Sequence, residues 1–284
     1  MRIQSGTIIP NYNSQPTFKS WSREVVSINK KTLIKDVVHR NDTAFFRNGI
    51  FWHKLISFLV AKFKDIPKIN VYSYGCSDGS EVFSFIMHLL SQYDKDVSNK
   101  FLPVVAKDYD DVAINKIKRN DYYMSFAEKE MINLSTSNSY DRFVREKEGK
   151  KNEYGEFPVE LKEELFKHVK FSKADIFSDY KSIKPQNSVV FVRNFWPYIK
   201  SSYARQNLLN KLYEHLDYGS MIVIGDYDKS ATDWSIVNQI TKAGFRSTDM
   251  PYVYQKIKPL NAPEFVEKES KIKKLFQFFF NIFD

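Results

Sequence analysis

The sequence predicts an α/β protein built on a doubly wound, mainly parallel sheet, with a short helical N-terminal arm. Two observations support this fold class: β-rich segments alternate with amphipathic helical segments, and glycines or acidic residues follow the strands. The first unit is a strand at 69–74, a glycine turn and a helix at 82–90, and the second is a strand at 101–106 and a helix at 112–118. Parallel strands that alternate with helices are covered on both faces, so we expect helices on both sides of one sheet.

The remaining elements follow the same alternation. Apolar residues at helical spacing predict one amphipathic helix over 45–63. The segment 124–170 is charged and mixed in pattern, and within it 146–154 is predicted to be a hairpin tip or solvated loop without chemistry. Further strands are expected at 189–192, 221–224 and 252–257, and a further helix at 234–243.

Composition divides the 284-residue chain into three parts. Residues 1–40 are a basic arm, partly helical over 22–38, with seven basic and two acidic side chains; it either binds an acidic partner or only keeps the surface solvated. Residues 41–257 are expected to form the main domain. Residues 258–284 are a phenylalanine-rich tail, predicted to be a helix that docks on its own domain or on a partner chain, with lipid binding as the alternative.

Composition also excludes several function classes. Hydrophobic residues make up 43% of the chain and aromatic residues 16%, which is enough for a packed core. Cys76 is the only cysteine and the five histidines lie far apart in sequence, so neither a disulfide nor a metal site is expected. No stretch approaches the roughly 20 apolar residues of a membrane span. We therefore expect a soluble, cytoplasmic protein.

The chemistry is expected where strands end, because ligands of parallel sheets collect at the carboxyl edge. Gly75 and Gly79 have the spacing GxxxG, which is neither the dinucleotide pattern GxGxxG nor the P-loop pattern GxxxxGK[ST]. The second strand ends in Asp108, a carboxylate placed to accept both hydroxyls of a ribose. The alternative is that Asp108 caps the next helix, although Asp110 or Asp111 is better placed for that role.

Four segments in order resemble those of the CheR-type chemotaxis-receptor methyltransferases, which use S-adenosylmethionine. Residues 41–47, NDTAFFR, look like the family's NETxFFR, and residues 75–84, GCSDGSEVFS, are similar to GCSTGEEPYS. Residues 105–110 resemble ATDID, and residues 191–199, FVRNFWPYI, resemble FCRNVLIYF. The likeness covers residues 37–257 and implies a Rossmann-like class I methyltransferase fold.

The resemblance also implies a role for each matching position. It implies S-adenosylmethionine as cofactor and a protein glutamate, on a receptor or signalling protein, as methyl acceptor. The implied cofactor-binding residues are Asn41, Thr43, Arg47, Gly75, Cys76, Ser77, Gly79, Glu81, Asp108, Asp175, Ile176, Arg193 and Asn194, and the implied catalytic residues are Arg47, Arg193 and Tyr198.

The chemistry of glutamate methylation is compatible with the implied catalytic residues. A glutamate is already ionised at neutral pH, with a reference pKa of about 4.3, so its methylation needs alignment and no general base. Arg47 or Arg193 would attract the anionic acceptor and Tyr198 would donate a hydrogen bond. The alternatives are that Arg47 pairs with Glu81 or another acid and that Tyr198 is a core aromatic residue. Cys76 is interpreted as a packed thiol.

Three functions remain open from the sequence. The first is a protein-glutamate O-methyltransferase, the second a methyltransferase acting on a small-molecule carboxylate or hydroxyl, and the third a non-catalytic cofactor-binding sensor or scaffold. Nucleic acid is not expected as a partner, because no NPPY-like segment for a flipped base is present. Residues 225–228, GDYD, differ from the family's GHSE, so the acceptor side departs from the pattern.

Overall fold

Two sheets organise the computed structural model, which describes residues 43–47, 52–232 and 234–258. The strands of this part of the chain are β1 (Asn70–Tyr74), β2 (Val104–Asp108), β3 (Tyr122–Met124), β4 (Val144–Glu146), β5 (Phe157–Leu161), β6 (Val169–Lys173), β7 (Ser188–Phe191), β8 (Met221–Val223), β9 (Arg246–Ser247) and β10 (Val253–Gln255).

Helices of very different length connect these strands. They are α1 (Trp52–Lys62), α2 (Ser80–Gln92), α3 (Lys95–Phe101), α4 (Asp111–Arg119), α5 (Phe126–Ser135), α6 (Tyr140–Phe143), α7 (Glu163–Phe166), α8 (Ile176–Asp179), α9 (Ser202–His215), α10 (Asp226–Ala231) and α11 (Ser235–Ala243), with short 3-10 turns at Tyr180–Ser182 and Trp196–Tyr198.

The main sheet has seven strands in the order β6-β2-β1-β7-β8-β10-β9. The pairs from β6 to β8 are all parallel, and β10 runs antiparallel to both of its neighbours. After β1 the chain adds β2 and β6 on one side, and it then returns to add β7 and β8 on the other side. This reversal confirms the predicted doubly wound, Rossmann-like α/β fold and places the switch point between β1 and β7.

Both faces of the main sheet are buried, as expected for parallel strands with helical crossovers. Val71 of β1 belongs to a core cluster with α1 and α2. Its neighbours Tyr72 and Tyr74 point to the opposite face, into a second cluster with α9 and α11. The alternation of side chains along β1 therefore connects two apolar layers through one strand.

The second sheet is small and antiparallel, with the order β3-β5-β4. Val144 pairs with Leu161 and Glu146 pairs with Val159, so residues 147–156 connect two paired strands. This arrangement confirms the predicted hairpin at 146–154. The sequence pattern did not reveal β6, because this edge strand is largely exposed beyond Val169 and has no continuous apolar run.

Two predicted boundaries are wrong. The helix predicted over 45–63 begins, in the described residues, at Trp52, whereas Phe46 has a left-handed φ of 49°. The amides of Phe45 and Phe46 donate to Glu128 Oε1 and Ser84 Oγ, at 3.1 and 2.8 Å, and not to helix carbonyls. The strand predicted over 101–106 is β2, shifted by two to three residues, because α3 extends to Phe101.

Three predicted features lie outside the described residues. They are the helical arm at 1–40, the site residue Asn41, and the phenylalanine-rich tail from residue 259 onward. Within the part that the structure describes, every helix is too short or too polar to cross a bilayer.

Candidate active site

The candidate site lies at the carboxyl edge of the main sheet, around the switch point. One side, which we call the β1–β2 half, consists of residues 75–81 and Asp108. The other side, the β7–β8 half, consists of residues 193–198 and Asp228. Helix N-termini and loop amides converge at such an edge, which makes it the usual ligand site of doubly wound sheets.

The turn after β1 depends on left-handed backbone conformations. Gly75 and Gly79 have φ values of 68° and 81°, and Ser77 has a φ of 50°. A Cβ atom on Gly79 would lie 3.0 Å from the ring of Phe171 and 3.1 Å from that of Phe83. Glycine is needed here both for the backbone angle and for the close packing of two phenylalanines.

Asp108 joins the ends of β1 and β2. Its Oδ2 accepts the amide of Ser77 at 2.7 Å, and its Oδ1 accepts the amide of Asp110 at 2.9 Å. Asp110 caps α4 by accepting the amide of Val112 at 2.8 Å. The alternative role of Asp108 as a helix cap is therefore filled by Asp110. A carboxylate has about four lone-pair sites, so Asp108 keeps acceptor capacity for a ligand.

A second acid, Asp78, stabilises the same turn and was not singled out from the sequence. Asp78 Oδ1 accepts the amide and the hydroxyl of Ser80 at 3.1 and 2.6 Å, and Oδ2 pairs with Lys116 Nζ at 2.6 Å. The hydroxyl of Tyr122 donates to the Asp78 carbonyl at 2.7 Å. These bonds tie the turn to α4 and β3 and leave Asp78 with a structural role.

A buried ion pair connects the two halves of the site. Arg193 Nη1 lies 2.5 Å from Glu81 Oε2, and the side chains of Arg193 and Glu81 are only 1% and 16% exposed. The guanidinium also stacks 5.4 Å from the ring centre of Trp52. Burial raises the pKa of Glu81, and the charges of Arg193 and Arg47 oppose that rise. The ion pair of Glu81 is thus with Arg193, whereas the sequence suggested Arg47 as its partner, and Arg47 acts on Glu81 through its charge.

Two buried groups at this edge have spare hydrogen-bonding capacity. Arg193 Nε and Nη2 and Ser77 Oγ are enclosed, with no hydrogen-bond partner among the described residues. Buried donors of this kind are normally satisfied, so they indicate a place for a polar ligand or water. Together with the free acceptor sites of Asp108, they fit a cofactor that carries hydroxyl and carboxylate groups.

The adenine-side residues predicted from the resemblance lie next to Asp108. The amide of Ala174 donates to the Asp108 carbonyl at 2.8 Å, which places the following residues at the same edge. Asp175 caps α8 by accepting the amide of Phe177 at 2.9 Å, and Ile176 is buried.

The other predicted residues have contrasting environments. Thr43 and Arg47 are half-buried, and Tyr198 is exposed at the 3-10 turn. Burial raises the pKa of the Cys76 thiol well above its usual value, so this sulfur stays protonated and packed, as the sequence suggested.

Asp228 is a functional candidate that sequence reasoning missed. It is fully buried, and it accepts backbone amides from Asn194, Gly225 and Trp196 at 2.7, 2.7 and 3.1 Å. Burial raises its pKa to about 6, although these three hydrogen bonds and the charge of Arg193 favour ionisation. The only signal in the sequence is an acid shortly after a predicted strand, in the segment that departs from the family pattern.

A polar cluster supports the site on the other face of the sheet. Asp179 Oδ2 accepts from Lys107 Nζ at 2.6 Å, from the Tyr74 hydroxyl at 2.5 Å and from the Ser182 hydroxyl at 2.8 Å. Burial opposes ionisation, but these hydrogen bonds hold the pKa of Asp179 below its usual range. The cluster fastens α8 to the ends of β1 and β2. No local pattern in the sequence reveals this cluster, because Lys107 and Tyr74 lie more than 70 residues from Asp179.

No group of three or more histidines, cysteines or acids is arranged for a metal ion in the stretches 43–47, 52–232 and 234–258. The polar groups that line this edge include the guanidinium of Arg193, the carboxylates of Glu81, Asp108 and Asp228, and backbone amides.

Comparisons with known proteins show which family this chain is similar to. The model of the family "CheR methyltransferase, SAM binding domain" matches residues 41–243. A chemotaxis protein methyltransferase of Borreliella burgdorferi is 25% identical over 220 residues, covering 73% of each chain. Chemotaxis protein methyltransferase 2 of Vibrio cholerae serotype O1 is 22% identical over 189 residues, covering 65% of this chain and 61% of the relative.

Among solved structures, magnesium protoporphyrin IX methyltransferase from Synechocystis PCC 6803 with bound S-adenosylmethionine aligns with a TM-score of 0.35 at 15% identity. The alignment covers 72% of this chain and 75% of the Synechocystis chain. The fold assignment itself rests on the strand order and direction given above. The family match extends over most of the chain and includes both halves of the site, so this protein belongs to the CheR methyltransferase family and uses S-adenosylmethionine as its cofactor.

Proposed function

We propose that this protein is an O-methyltransferase that transfers the cofactor's methyl group to a glutamate carboxylate of a protein substrate. The observation that carries the proposal is that each acid of the described site already has a role, with the acceptor capacity left on Asp108 assigned to the ribose hydroxyls of the cofactor. Glu81 pairs with Arg193, Asp108 accepts two backbone amides and Asp228 accepts three. Among the described residues, none of these acids is left to deprotonate an acceptor, which favours an acceptor that arrives already ionised.

A carboxylate meets that requirement. A glutamate side chain has a reference pKa of about 4.3 and is ionised at neutral pH. The names of the two chemotaxis methyltransferase relatives support a receptor-type protein as its carrier. The single cysteine supports a reducing, cytoplasmic location, which forms part of the same proposal.

The β1–β2 half would bind the nucleoside. Asp108 would accept the two ribose hydroxyls, with Asp175 and Ile176 beside the adenine. The turn at Gly75, Cys76, Ser77 and Gly79 would face the cofactor with its backbone. Around the methionine end and the reacting methyl we place Asn41, Thr43, Arg47, Glu81 and Asn194.

The β7–β8 half would hold the acceptor. The bound cofactor supplies an electrophilic methyl group on a positively charged sulfur. Arg47 and Arg193 would orient the acceptor carboxylate by charge, and the hydroxyl of Tyr198 would donate a hydrogen bond to it. Alignment of this kind contributes up to about 7–11 kcal/mol to catalysis without any proton transfer.

The test is methyl transfer from tritiated S-adenosylmethionine to cytoplasmic and receptor-containing membrane protein fractions. The proposal predicts label in protein that is released as volatile methanol in mild base, as expected for a glutamyl ester. Label that resists mild base, label that appears only in small molecules, or tight cofactor binding without any transfer would each contradict it. The last two outcomes correspond to a small-molecule methyltransferase and to a binding module.

A further inference from the structure

Asp228 connects the two loops of the β7–β8 half. It lies in the first turn of α10, directly after β8, and its side chain is fully buried. Its Oδ2 accepts the amides of Asn194 and Gly225, both at 2.7 Å, and its Oδ1 accepts the amide of Trp196 at 3.1 Å. Two of these donors belong to the loop after β7 and one to the loop after β8, so a single carboxylate holds both loops.

The same two loops interlock at a glycine. A Cβ atom on Gly225 would lie 2.0 Å from Asn194 Oδ1 and 3.1 Å from the Asn194 backbone nitrogen. Asn194 itself has a left-handed φ of 56°, a conformation that a residue other than glycine adopts at a cost. The hydrogen bond from its amide to Asp228 holds Asn194 in this conformation.

The backbone of Asn194 and Trp196 determines where the neighbouring functional side chains lie. Arg193 precedes Asn194, and Tyr198 ends the 3-10 turn that begins at Trp196. We infer that Asp228 is a positioning residue for methyl transfer, which fixes the loop that presents Arg193 and Tyr198 to the acceptor. This inference rests on the proposed function, because it assigns that loop to the acceptor.

The direct test replaces Asp228 by asparagine and uses Asp226→Asn as the matched control. Asp226 lies in the same helical turn but is exposed, and among the described residues it accepts the Tyr252 hydroxyl at 2.8 Å. In D228N an amide group faces backbone N–H donors, so at least one of the three hydrogen bonds is lost. We expect kcat to fall by about 100-fold, since a misplacement of about 1 Å suffices for such a loss.

Binding should separate positioning from general damage. The affinity for S-adenosylhomocysteine should fall much less than kcat in D228N, because Asp108 and the Gly75 turn, which would hold the nucleoside, make no hydrogen bond to Asp228, and only the Asn194 end of the cofactor site is affected. The KM for the acceptor should change much less than kcat. Asp228→Glu keeps both carboxylate oxygens as acceptors but moves them out by one methylene, so its kcat should lie between those of wild type and D228N. If D228N does not fold, Asp228→Glu replaces it in the test.

A readout that does not depend on the acceptor distinguishes failure of this inference from failure of the proposed function. Hydrogen exchange of the Asn194 and Trp196 amides, followed by NMR, should be at least tenfold faster in D228N than in D226N. That result stands even if wild type methylates no protein. Amides that stay protected, wild-type turnover in D228N, or an equal loss of S-adenosylhomocysteine affinity would overturn the inference.

Discussion

The two halves of the site are stabilised in different ways. In the β1–β2 half, glycine conformations and two backbone amides hold Asp108, and the carboxylate remains half-exposed with capacity for a ligand. In the β7–β8 half, Arg193 and Asp228 are buried charges whose partners come from distant parts of the chain, Glu81 among them. Loss of the Asp108 side chain should therefore impair mainly cofactor binding, whereas loss of Arg193 or Asp228 should also destabilise the fold.

Among the variants considered, Arg193→Ala should have the largest effect on stability. It leaves Glu81 buried without its counter-charge, which typically costs about 3–5 kcal/mol. We expect the free energy of unfolding, measured with urea, to fall by that amount. The double variant Arg193→Met with Glu81→Leu removes both charges and should recover most of the loss. If Arg193→Ala alone lowers the unfolding free energy by less than about 1 kcal/mol, the pair does not join the halves as described.

Asp108→Ala tests the opposite half. It should abolish binding of S-adenosylhomocysteine in a calorimetric titration, because each hydrogen bond to a charged acceptor contributes about 1.5–3 kcal/mol. Its cost in unfolding free energy should be smaller than that of Arg193→Ala.

The matched control for this variant is Asp110→Ala, which removes the cap of α4. It should lower stability by about 1 kcal/mol and leave the affinity for S-adenosylhomocysteine unchanged. If Asp108→Ala leaves the affinity for S-adenosylhomocysteine unchanged, Asp108 does not contact the cofactor.

The pH dependence of stability reports on Asp228. Burial raises its pKa from 3.8 to about 6 in the folded protein. An acid with a raised pKa stabilises the fold fully below its unfolded pKa, and this contribution is lost as the pH rises through about 6. The stability advantage of wild type over D228N should therefore shrink between about pH 4 and pH 7, by up to about 3 kcal/mol. Urea midpoints across this range would show it, and an advantage that grows with pH would contradict it.

Tyr198→Phe should have the smallest effect on the fold. The residue is 37% exposed, so stability and the affinity for S-adenosylhomocysteine should stay close to wild type. Turnover should fall, by about tenfold if the hydroxyl donates to the acceptor carboxylate. Steady-state kinetics with the methyl acceptor would measure this change. If Tyr198→Phe turns over at the wild-type rate, the Tyr198 hydroxyl has no role in the reaction.

The same contrast explains what the sequence could predict. The turn from Gly75 to Gly79 and the acid Asp108 directly follow apolar strands, so local patterns placed them at the correct edge. Asp228, the Asp78–Lys116 pair and the Asp179 cluster depend on contacts between residues 32 or more positions apart, which no local pattern reveals. The turn at Phe45 and Phe46 was missed for a related reason, because side chains of α2 and α5 take its amides.

A crystal structure of the complex with S-adenosylhomocysteine tests the central assignment of the two halves most directly. We predict ribose hydroxyls within hydrogen-bonding distance of the Asp108 carboxylate, and the sulfur facing residues 193–198. A nucleoside bound away from Asp108, or a sulfur turned away from the Arg193 loop, would contradict the assignment.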